Sequence, residues 1–290
     1  MPVGKLPLTW RQVALYTLLI AAMALLLTSH DTVALAVREG LLLCGQNVIP
    51  SLFPLFVAVS LAIGCGLGNV LPPEIAALTL GLAGGYPMGT KTVAELLHSG
   101  AIQKSEAQKL LLCCNNAGPA FVLGIAGYGV FHRAAVGWVL YGIQTLSALL
   151  LFFLLPRKKA SRRQIRASPS FAAVFVEAVR SGVTAMLNIC GFVVLFLVAL
   201  RLLTAFTGLS HPLLLGFIEL TNGILALPAN ADGFVMAAAL LAWGGFSVHC
   251  QTAAVLEGSG LKLWPYLLAK LAQSGISAVL ALAVRGVFFP

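Results

Sequence analysis

The run Asn115-Asn116-Ala117-Gly118-Pro119 places two adjacent amides and a proline in an otherwise apolar stretch. Polar side chains are costly in lipid unless they are paired, so they mark candidate functional sites there. Pro119 removes a backbone donor and destabilises the helical turn before it. An unwound helix offers free carbonyls, and the N-terminus of its second half favours an anion. We therefore expect Asn115, Asn116 and Gly118 to bind a substrate, with structural hydrogen bonds between helices as the alternative.

A second polar interruption contains Glu219, Thr221, Asn222 and Gly223, again within a short apolar segment. A carboxylate at membrane depth is rare and is a functional-site hypothesis by default. Glu219 could bind a cation or a proton, or it could form a structural ion pair with an arginine. We expect Thr221 and Asn222 to contact the substrate and Glu219 to couple an ion or a proton to transport.

Ser247, His249 and Gln251 alternate along an apolar segment directly after Gly244-Gly245. The imidazole of histidine titrates near neutral pH. We expect all three side chains to contact the substrate, and His249 is a second candidate for proton coupling. A hydrolase built from Ser247, His249 and Glu219 would lack the Gly-x-Ser-x-Gly elbow around its serine, so we expect no enzyme activity.

Glycines and a proline interrupt a third apolar stretch, 74–90, in the run Gly84-Gly85-Tyr86-Pro87-Met88-Gly89. Backbone groups freed at membrane depth are tolerated only where protein or water satisfies them. The stretch therefore predicts a re-entrant hairpin, and we expect Gly84, Gly85 and Tyr86 to lie at the substrate. The run lacks the G-K-[ST] ending of a phosphate loop, so no nucleotide cofactor is expected.

The composition indicates what kind of chain holds these motifs. Of its 290 residues, 59% are hydrophobic and only 9% are charged, and the mean hydropathy is +0.96. Soluble domains carry about 25% charged residues. These values exclude an ordinary soluble enzyme and a disordered protein, and they predict an all-α polytopic membrane protein. The six cysteines include no C-x-x-C pair, so neither a disulfide framework nor a metal site is predicted.

About seven spanning helices are expected, because a span needs roughly 20 apolar residues. The stretch 32–48 carries charges and amides, and we expect it to form an interfacial helix that ends at Pro50. The stretch 171–182 is an amphipathic lead-in to a separate span that starts at Val183. The expected spans are 11–28, 51–67, 120–131, 136–155, 183–203, 234–250 and 266–284.

One boundary between these segments carries a local signal. Ser99-Gly100 predicts a break in the amphipathic stretch 91–114. Ser105 and Gln108 then match the S-x-x-Q pattern of a capping box. We therefore expect a new helix to start at Ser105.

The chain repeats its plan. The motif Ala36-Val37-Arg38-Glu39-Gly40 recurs as Ala178-Val179-Arg180-Ser181-Gly182. In each half, a lead-in and a span precede a short broken segment and two further spans. Three crossings per half is an odd number, so the halves should insert with opposite orientation, as in inverted-repeat transporters. We expect an N-terminal transmembrane helix at 1–31, a first repeat at 32–156, a linker at 157–169 and a second, inverted repeat at 170–290.

The charge distribution predicts the orientation in the membrane. Basic residues crowd the stretch 157–166, and cytoplasmic loops are enriched in Lys and Arg. We place this stretch in the cytoplasm and interpret it as a membrane anchor rather than a nucleic-acid patch. The expected partners are the lipid bilayer and a small-molecule substrate, with no nucleic acid. Glycine-rich packing at 64–68 and 124–127 is compatible with a homodimer.

In combination, five motifs resemble the YlbJ-type (SpoVV-like) sporulation integral membrane proteins, which belong to the nucleoside-recognition, or Gate, domain family. The likeness covers about residues 33–285. The motifs are Pro50-Ser51-Leu52-Phe53-Pro54, Gly84-Gly85-Tyr86-Pro87-Met88-Gly89, Asn115-Asn116-Ala117-Gly118-Pro119, Glu219-Leu220-Thr221-Asn222-Gly223 and Gly244-Gly245-Phe246-Ser247-Val248-His249-Cys250-Gln251. The resemblance implies a fold similar to concentrative nucleoside transporters, with two re-entrant hairpins and two broken helices around a midplane site.

The resemblance also implies a function, because YlbJ-type proteins are associated with moving dipicolinate across the outer forespore membrane of endospore-forming bacteria. We expect a transporter of a small polar metabolite, with dipicolinate as the best candidate, that works by alternating access. Backbone and asparagine amides would suit its two carboxylates, and Tyr86 could stack on its ring, although no arginine lies obviously at the midplane. A nucleoside or ion transporter of the Gate family, and a non-transporting membrane scaffold in spore assembly, are the alternatives.

Overall fold

The computed structural model describes residues 9–66, 71–154 and 170–289, and these ranges consist of helices joined by short connections. The first half contains α1 (Trp10–Thr28), α2 (His30–Leu43), α3 (Ile49–Gly64), α4 (Pro73–Gly84), α5 (Met88–His98), α6 (Lys104–Cys114), α7 (Pro119–Phe121) and α8 (Ala134–Leu154), with π-helical stretches at Cys44–Val48 and Val122–Val130. The second half contains α9 (Phe171–Thr207), α10 (Pro212–Ile218), α11 (Leu220–Leu225), α12 (Ala231–Trp243), α13 (Gly245–Val255) and α14 (Leu263–Phe288).

Within the described ranges, six helical stretches are long and apolar enough to cross a membrane. They are Trp10–Thr28, Lys104–Val130, Ala134–Leu154, Phe171–Thr207, Ala231–Val255 and Leu263–Phe288. A polytopic, all-helical membrane protein is therefore supported, with a lipid bilayer around it. About seven spans were expected, and the difference lies in α3, whose apolar part, Leu52–Gly64, is too short to be counted with them.

The long helical run from His30 to Gly64 differs from the predicted interfacial helix that ends at Pro50. Pro50 is the second residue of α3, and it does not end the helical run. The preceding turns stay helical by widening into the π-helical stretch Cys44–Val48. As a result α2 and α3 form one continuous element, and both pack against α9.

The α4 and α5 helices pack against each other as a hairpin, which we call hairpin 1 (residues 73–98, with its tip at 84–87). Its first arm has 12 residues and is therefore about 18 Å long. That length is well short of the roughly 30 Å hydrocarbon core of a bilayer. The tip contains a cis peptide bond between Tyr86 and Pro87.

The break at Ser99-Gly100 is observed, but the next helix begins at Lys104 rather than at Ser105. Its capping box consists of Gln103 and Glu106, because the Gln103 N–H donates to Glu106 Oε2 at 2.8 Å. The predicted Ser105–Gln108 box was therefore wrong. After α6, residues 115–118 are extended and the helix resumes at Pro119, and we call residues 115–118 break 1.

The predicted boundary at Val183 is also absent, since α9 runs without interruption for 37 residues. Helices α10 and α11 then form a second, shorter hairpin, hairpin 2 (residues 212–225), whose tip is Glu219. Gly244 separates α12 from α13 and adopts a φ of +92°, and we call this position break 2. The last span, α14, packs on both α12 and α8.

The two halves share one order of elements: a long helical run, a hairpin, a broken helix and a final span. The repeated glycines make reciprocal contacts between the long runs. A Cβ at Gly40 would lie 3.0 Å from Val194 in α9, and a Cβ at Gly182 would lie 3.3 Å from the Phe53 ring in α3. Glycines at equivalent places in both runs therefore allow the two runs to approach closely. The predicted linker 157–169 and its basic stretch lie outside the described residues.

Candidate functional site

Both hairpin tips, break 1 and the helix that follows break 2 line a cavity of about 560 Å³. The predicted site residues that line it come from all four motifs, and they are Gly84, Gly85, Tyr86, Gly118, Glu219, Thr221, Ser247 and Gln251. Its remaining wall is formed mainly by the long runs of both halves, through residues such as Gln46, Leu52, Ile189 and Val193. The cavity thus lies between the two hairpins with their broken helices and the α2, α3 and α9 elements.

The side chain of Gln144 makes the hydrogen bonds with break 1 that another backbone segment would otherwise make. The Gln144 Nε2 donates to Ala117 O at 2.7 Å, and the Ala117 N–H donates to Gln144 Oε1 at 3.3 Å. Gln144 lies on α8 and is 1% exposed. Because a buried backbone group without a partner is expensive, this clamp allows residues 115–118 to remain extended inside the protein.

The amides of break 1 point away from the cavity. Asn115 Nδ2 donates to Thr252 Oγ1 at 3.0 Å and to the Tyr266 hydroxyl at 2.9 Å. Asn116 Nδ2 donates to Cys113 O at 2.7 Å, and Asn116 Oδ1 accepts from Gln273. Neither asparagine belongs to the cavity lining, which differs from the prediction of direct substrate contact. Their geometry is that of side chains that tie the break to α13 and α14.

A buried lysine lies directly behind break 1. Lys270 of α14 is 1% exposed, and its Nζ donates to Asn115 O at 2.8 Å and to Gln273 Oε1 at 2.7 Å. The same Nζ lies 5.1 Å from the centre of the Tyr86 ring, within the range of a cation–π contact. The polar contacts continue from Gln273 to Ser147 and from Ser147 to Ser277. The Lys270 amino group therefore lies directly behind the Tyr86 ring, which lines the cavity.

The tip of hairpin 1 contacts both breaks. Gly85 has a φ of +79°, and a Cβ there would lie 2.7 Å from the Gly118 nitrogen, so only glycine fits this approach. The single proton of the Tyr86 hydroxyl is shared between Leu241 O and Ala242 O, each 3.1 Å from the Tyr86 oxygen. Those carbonyls belong to the last turn of α12 before break 2. Tyr86 therefore joins the first hairpin to the second broken helix.

At the tip of hairpin 2, the Glu219 carboxylate caps the helix that follows it. It accepts from Thr221 N at 3.2 Å, from Asn222 N at 2.8 Å and from Asn222 Nδ2 at 2.7 Å. Glu219 is 2% exposed and lines the cavity, and it forms no ion pair in the part of the chain that the structure describes. Asn222 lines a separate, smaller cavity beside Arg201 instead.

The three predicted polar residues after break 2 lie on two different sides of α13. Ser247 and Gln251 are four positions apart on α13, so they share a face, and both line the cavity. His249 lies on the other side of the helix, 4.2 Å from the Trp243 ring and 5.5 Å from the Tyr266 ring. Both of its ring nitrogens lack hydrogen-bond partners within the described ranges. No hydrogen bond there connects Ser247, His249 and Glu219 into a hydrolytic triad.

Several buried polar residues around break 1 were not predicted from the sequence. They are Gln144 and Ser147 on α8, and Lys270, Gln273 and Ser277 on α14. Their spacing carried a signal, because polar residues at i, i+3 and i+7 mark one face of an otherwise apolar span. The sequence shows no obvious arginine near the expected midplane, and Lys270, which lies behind break 1, was overlooked.

Comparison with known proteins supplies one relative. The chain is 28% identical, over 332 aligned residues, to the sporulation integral membrane protein YlbJ of Bacillus subtilis (strain 168), with 91% of this chain and 81% of that protein covered. No family model matches the chain, and no solved structure matches it significantly. The similarity to YlbJ supports the family assignment that the five motifs indicated.

Proposed function

From the assignment of the chain to the YlbJ-type sporulation integral membrane proteins, we propose that it is a transporter of a small polar metabolite and not an enzyme. The observation that carries the proposal is the convergence of two hairpin tips, break 1 and the helix after break 2 on one cavity. Paired interruptions at corresponding places of two halves are the sequence signature of a transporter's binding site. A volume of about 560 Å³ also falls within the roughly 300–1,000 Å³ of small-molecule pockets.

Alternating access would follow from an inverted repeat, and the glycine contacts support one. Gly40 faces Val194, which is 12 positions after Gly182, while Gly182 faces Val57 and Phe53, which are 17 and 13 positions after Gly40. In each pair, a residue early in one helix contacts a residue later in the other, so the two helices run antiparallel. A two-fold axis that relates two antiparallel helices is perpendicular to both of them. A pseudo-two-fold axis in the membrane plane is the arrangement of inverted-repeat transporters. The hairpins would then be re-entrant from opposite faces.

We propose dipicolinate as the first candidate substrate, as the resemblance implies. Side-chain donors from both halves line the cavity, among them Thr221, Ser247 and Gln251. The first turn of α13, an 11-residue helix, reaches the cavity at Ser247, and a helix N-terminus favours negative charge. Lys270 adds positive charge behind Tyr86. The proposal keeps the basic stretch 157–166 in the cytoplasm and places the protein in the outer forespore membrane.

Glu219 favours a second candidate, a nucleoside or a similar neutral polyol. Its carboxylate lies in the cavity wall, where it would repel a dianion and would accept hydrogen bonds from hydroxyl groups. Three N–H donors already contact this carboxylate, which reduces the repulsion. The balance between these two effects decides between the substrates, and a direct measurement distinguishes them.

The experiment is uptake of labelled dipicolinate and, in parallel, labelled uridine into proteoliposomes of the purified protein. The matched variants are Gln251→Leu, which removes a polar group from the cavity, and Gln108→Leu, which removes one from a surface contact. We expect saturable dipicolinate uptake that Gln251→Leu reduces at least tenfold and Gln108→Leu leaves unchanged. Uptake of uridine alone would make a nucleoside, and not dipicolinate, the substrate. Uptake of neither, by folded protein, would contradict transport and favour the scaffold.

A further inference from the structure

The Lys270 ammonium is surrounded by neutral oxygen atoms. Its three nearest acceptors are Asn115 O at 2.8 Å, Gln273 Oε1 at 2.7 Å and Asn116 Oδ1 at 3.4 Å. No carboxylate lies within ion-pair distance of Lys270 among the described residues. A fully buried ammonium normally pairs with a carboxylate, because its desolvation is expensive. This cation is instead held by one backbone carbonyl, two side-chain amides and the face of Tyr86.

That set of ligands suits a monovalent metal ion. Asn115 is the C-cap of α6, so its carbonyl belongs to the negative end of a half-helix. In secondary transporters, carbonyls freed at such helix ends coordinate Na⁺. Hard cations such as Na⁺ take backbone and amide oxygens as ligands. Here all three oxygen atoms converge on a point that a lysine side chain from α14 already occupies.

We propose that the Lys270 ammonium occupies, as a tethered group, the position at break 1 that a monovalent metal ion would fill. The lysine joins break 1 to the tip of hairpin 1 through Tyr86, and it never dissociates. The site therefore needs no bound Na⁺ or K⁺ to keep its shape. The inference rests on the proposed function only for its second consequence, that transport is independent of a metal-ion gradient.

The test is the thermal unfolding of the purified protein in NaCl, KCl and choline chloride at equal ionic strength. Lys270→Ala vacates the position and leaves the oxygen atoms free to hold an ion. Lys270→Met fills most of the same volume without a charge, so it leaves no room for an ion. We expect Na⁺ or K⁺ to raise the unfolding temperature of Lys270→Ala by about 5–10 °C when the ion is present at roughly 100 times its Kd. The wild type and Lys270→Met should not respond.

Three results would overturn the inference: a wild type that is itself stabilised by Na⁺ or K⁺, a Lys270→Ala variant as unresponsive as Lys270→Met, or rescue of both variants alike. If Lys270→Ala yields no folded protein in any of the three salts, the oxygen atoms do not bind a free ion and the inference fails. The wild-type measurement needs no variant, so it can overturn the inference even then.

The salt response of unfolding is independent of transport. A chain that carries neither dipicolinate nor uridine, but whose Lys270→Ala variant is rescued by Na⁺ or K⁺, keeps this inference and loses the proposed function. Where uptake is found, replacing Na⁺ and K⁺ with choline on both sides of the membrane should leave the wild-type rate unchanged. A severalfold loss of the rate in choline would show that a free metal ion is still required.

Discussion

Two glutamines make the same two-bond clamp in different surroundings, and they permit a controlled test of break 1. Gln144 pairs with both backbone groups of Ala117 inside the protein. Gln108 pairs with both backbone groups of Lys262, with bonds of 2.7 and 2.9 Å, in an exposed position. Replacing each glutamine by leucine removes two hydrogen bonds of similar geometry. Only the access of water to the freed backbone groups differs.

The magnitudes follow from that difference. After Gln144→Leu, the Ala117 N–H and C=O remain buried without partners, at about 1–3 kcal/mol each, so the loss is about 2–6 kcal/mol. After Gln108→Leu, water replaces the lost partner and the two bonds together are worth about 1–2 kcal/mol. At roughly 2–4 °C per kcal/mol, Gln144→Leu should lower the unfolding temperature by on the order of 10 °C. Gln108→Leu should lower it by on the order of 4 °C.

The assay is thermal unfolding of both variants and the wild type in one detergent and one buffer. Equal shifts for the two variants would refute the argument, because they would mean that break 1 is as accessible to water as the surface. A smaller effect for Gln144→Leu than for Gln108→Leu would show that break 1 closes into a regular helix when the clamp is removed.

Three further comparisons test the contacts of hairpin 1. Both Gly85 and Gly100 have a positive φ, but only Gly85 abuts Gly118. Gly85→Ala should therefore abolish uptake, whereas Gly100→Ala should cost only about 1–2 kcal/mol of unfolding free energy. Equal effects of the two variants on uptake would contradict the close approach. Tyr86→Phe keeps the ring and loses the hydroxyl bond shared between two carbonyls of α12, so the unfolding free energy should fall by about 1–2 kcal/mol. No change would show that this bond is dispensable. Lys91 Nζ donates to Ser181 Oγ at 2.8 Å and lies 3.8 Å from Glu95 Oε1. Lys91→Met should therefore lower the unfolding free energy by about 2 kcal/mol, and adding Glu95→Gln should recover part of that loss. A double variant less stable than Lys91→Met would contradict the pairing.

The helix breaks could be predicted from sequence, because glycine, proline and amide side chains in an apolar stretch interrupt the helix and free backbone groups that lipid cannot satisfy. The lengths of individual helices could not. A proline that ends a helix and one that a continuous helical run accommodates look alike in a sequence, and Pro50 proved to be the latter. Similarly, Gly182 suggested the end of a lead-in, whereas it lies in the middle of α9 and packs closely against α3.

The site shows the same division between backbone and side chains. Local motifs identified the hairpin tips and the breaks, since those positions depend on backbone chemistry. Which polar side chains face the cavity depends on the rotation of each helix, and that is set by tertiary packing. Asn115, Asn116 and His249 therefore turned inward, away from the cavity, while Gln251 turned toward it. Lys270 was missed because its partners come from break 1, more than 150 positions earlier in the chain.

Counterflow tests the central claim, that the cavity carries a substrate by alternating access, most directly. Proteoliposomes are loaded with unlabelled dipicolinate and diluted into a trace of labelled dipicolinate. The account predicts that the label accumulates transiently above its external concentration, and that Gln251→Leu, but not Gln108→Leu, removes this overshoot. Label that only equilibrates would indicate a pore, and the absence of any uptake by folded protein would contradict transport of dipicolinate through this cavity.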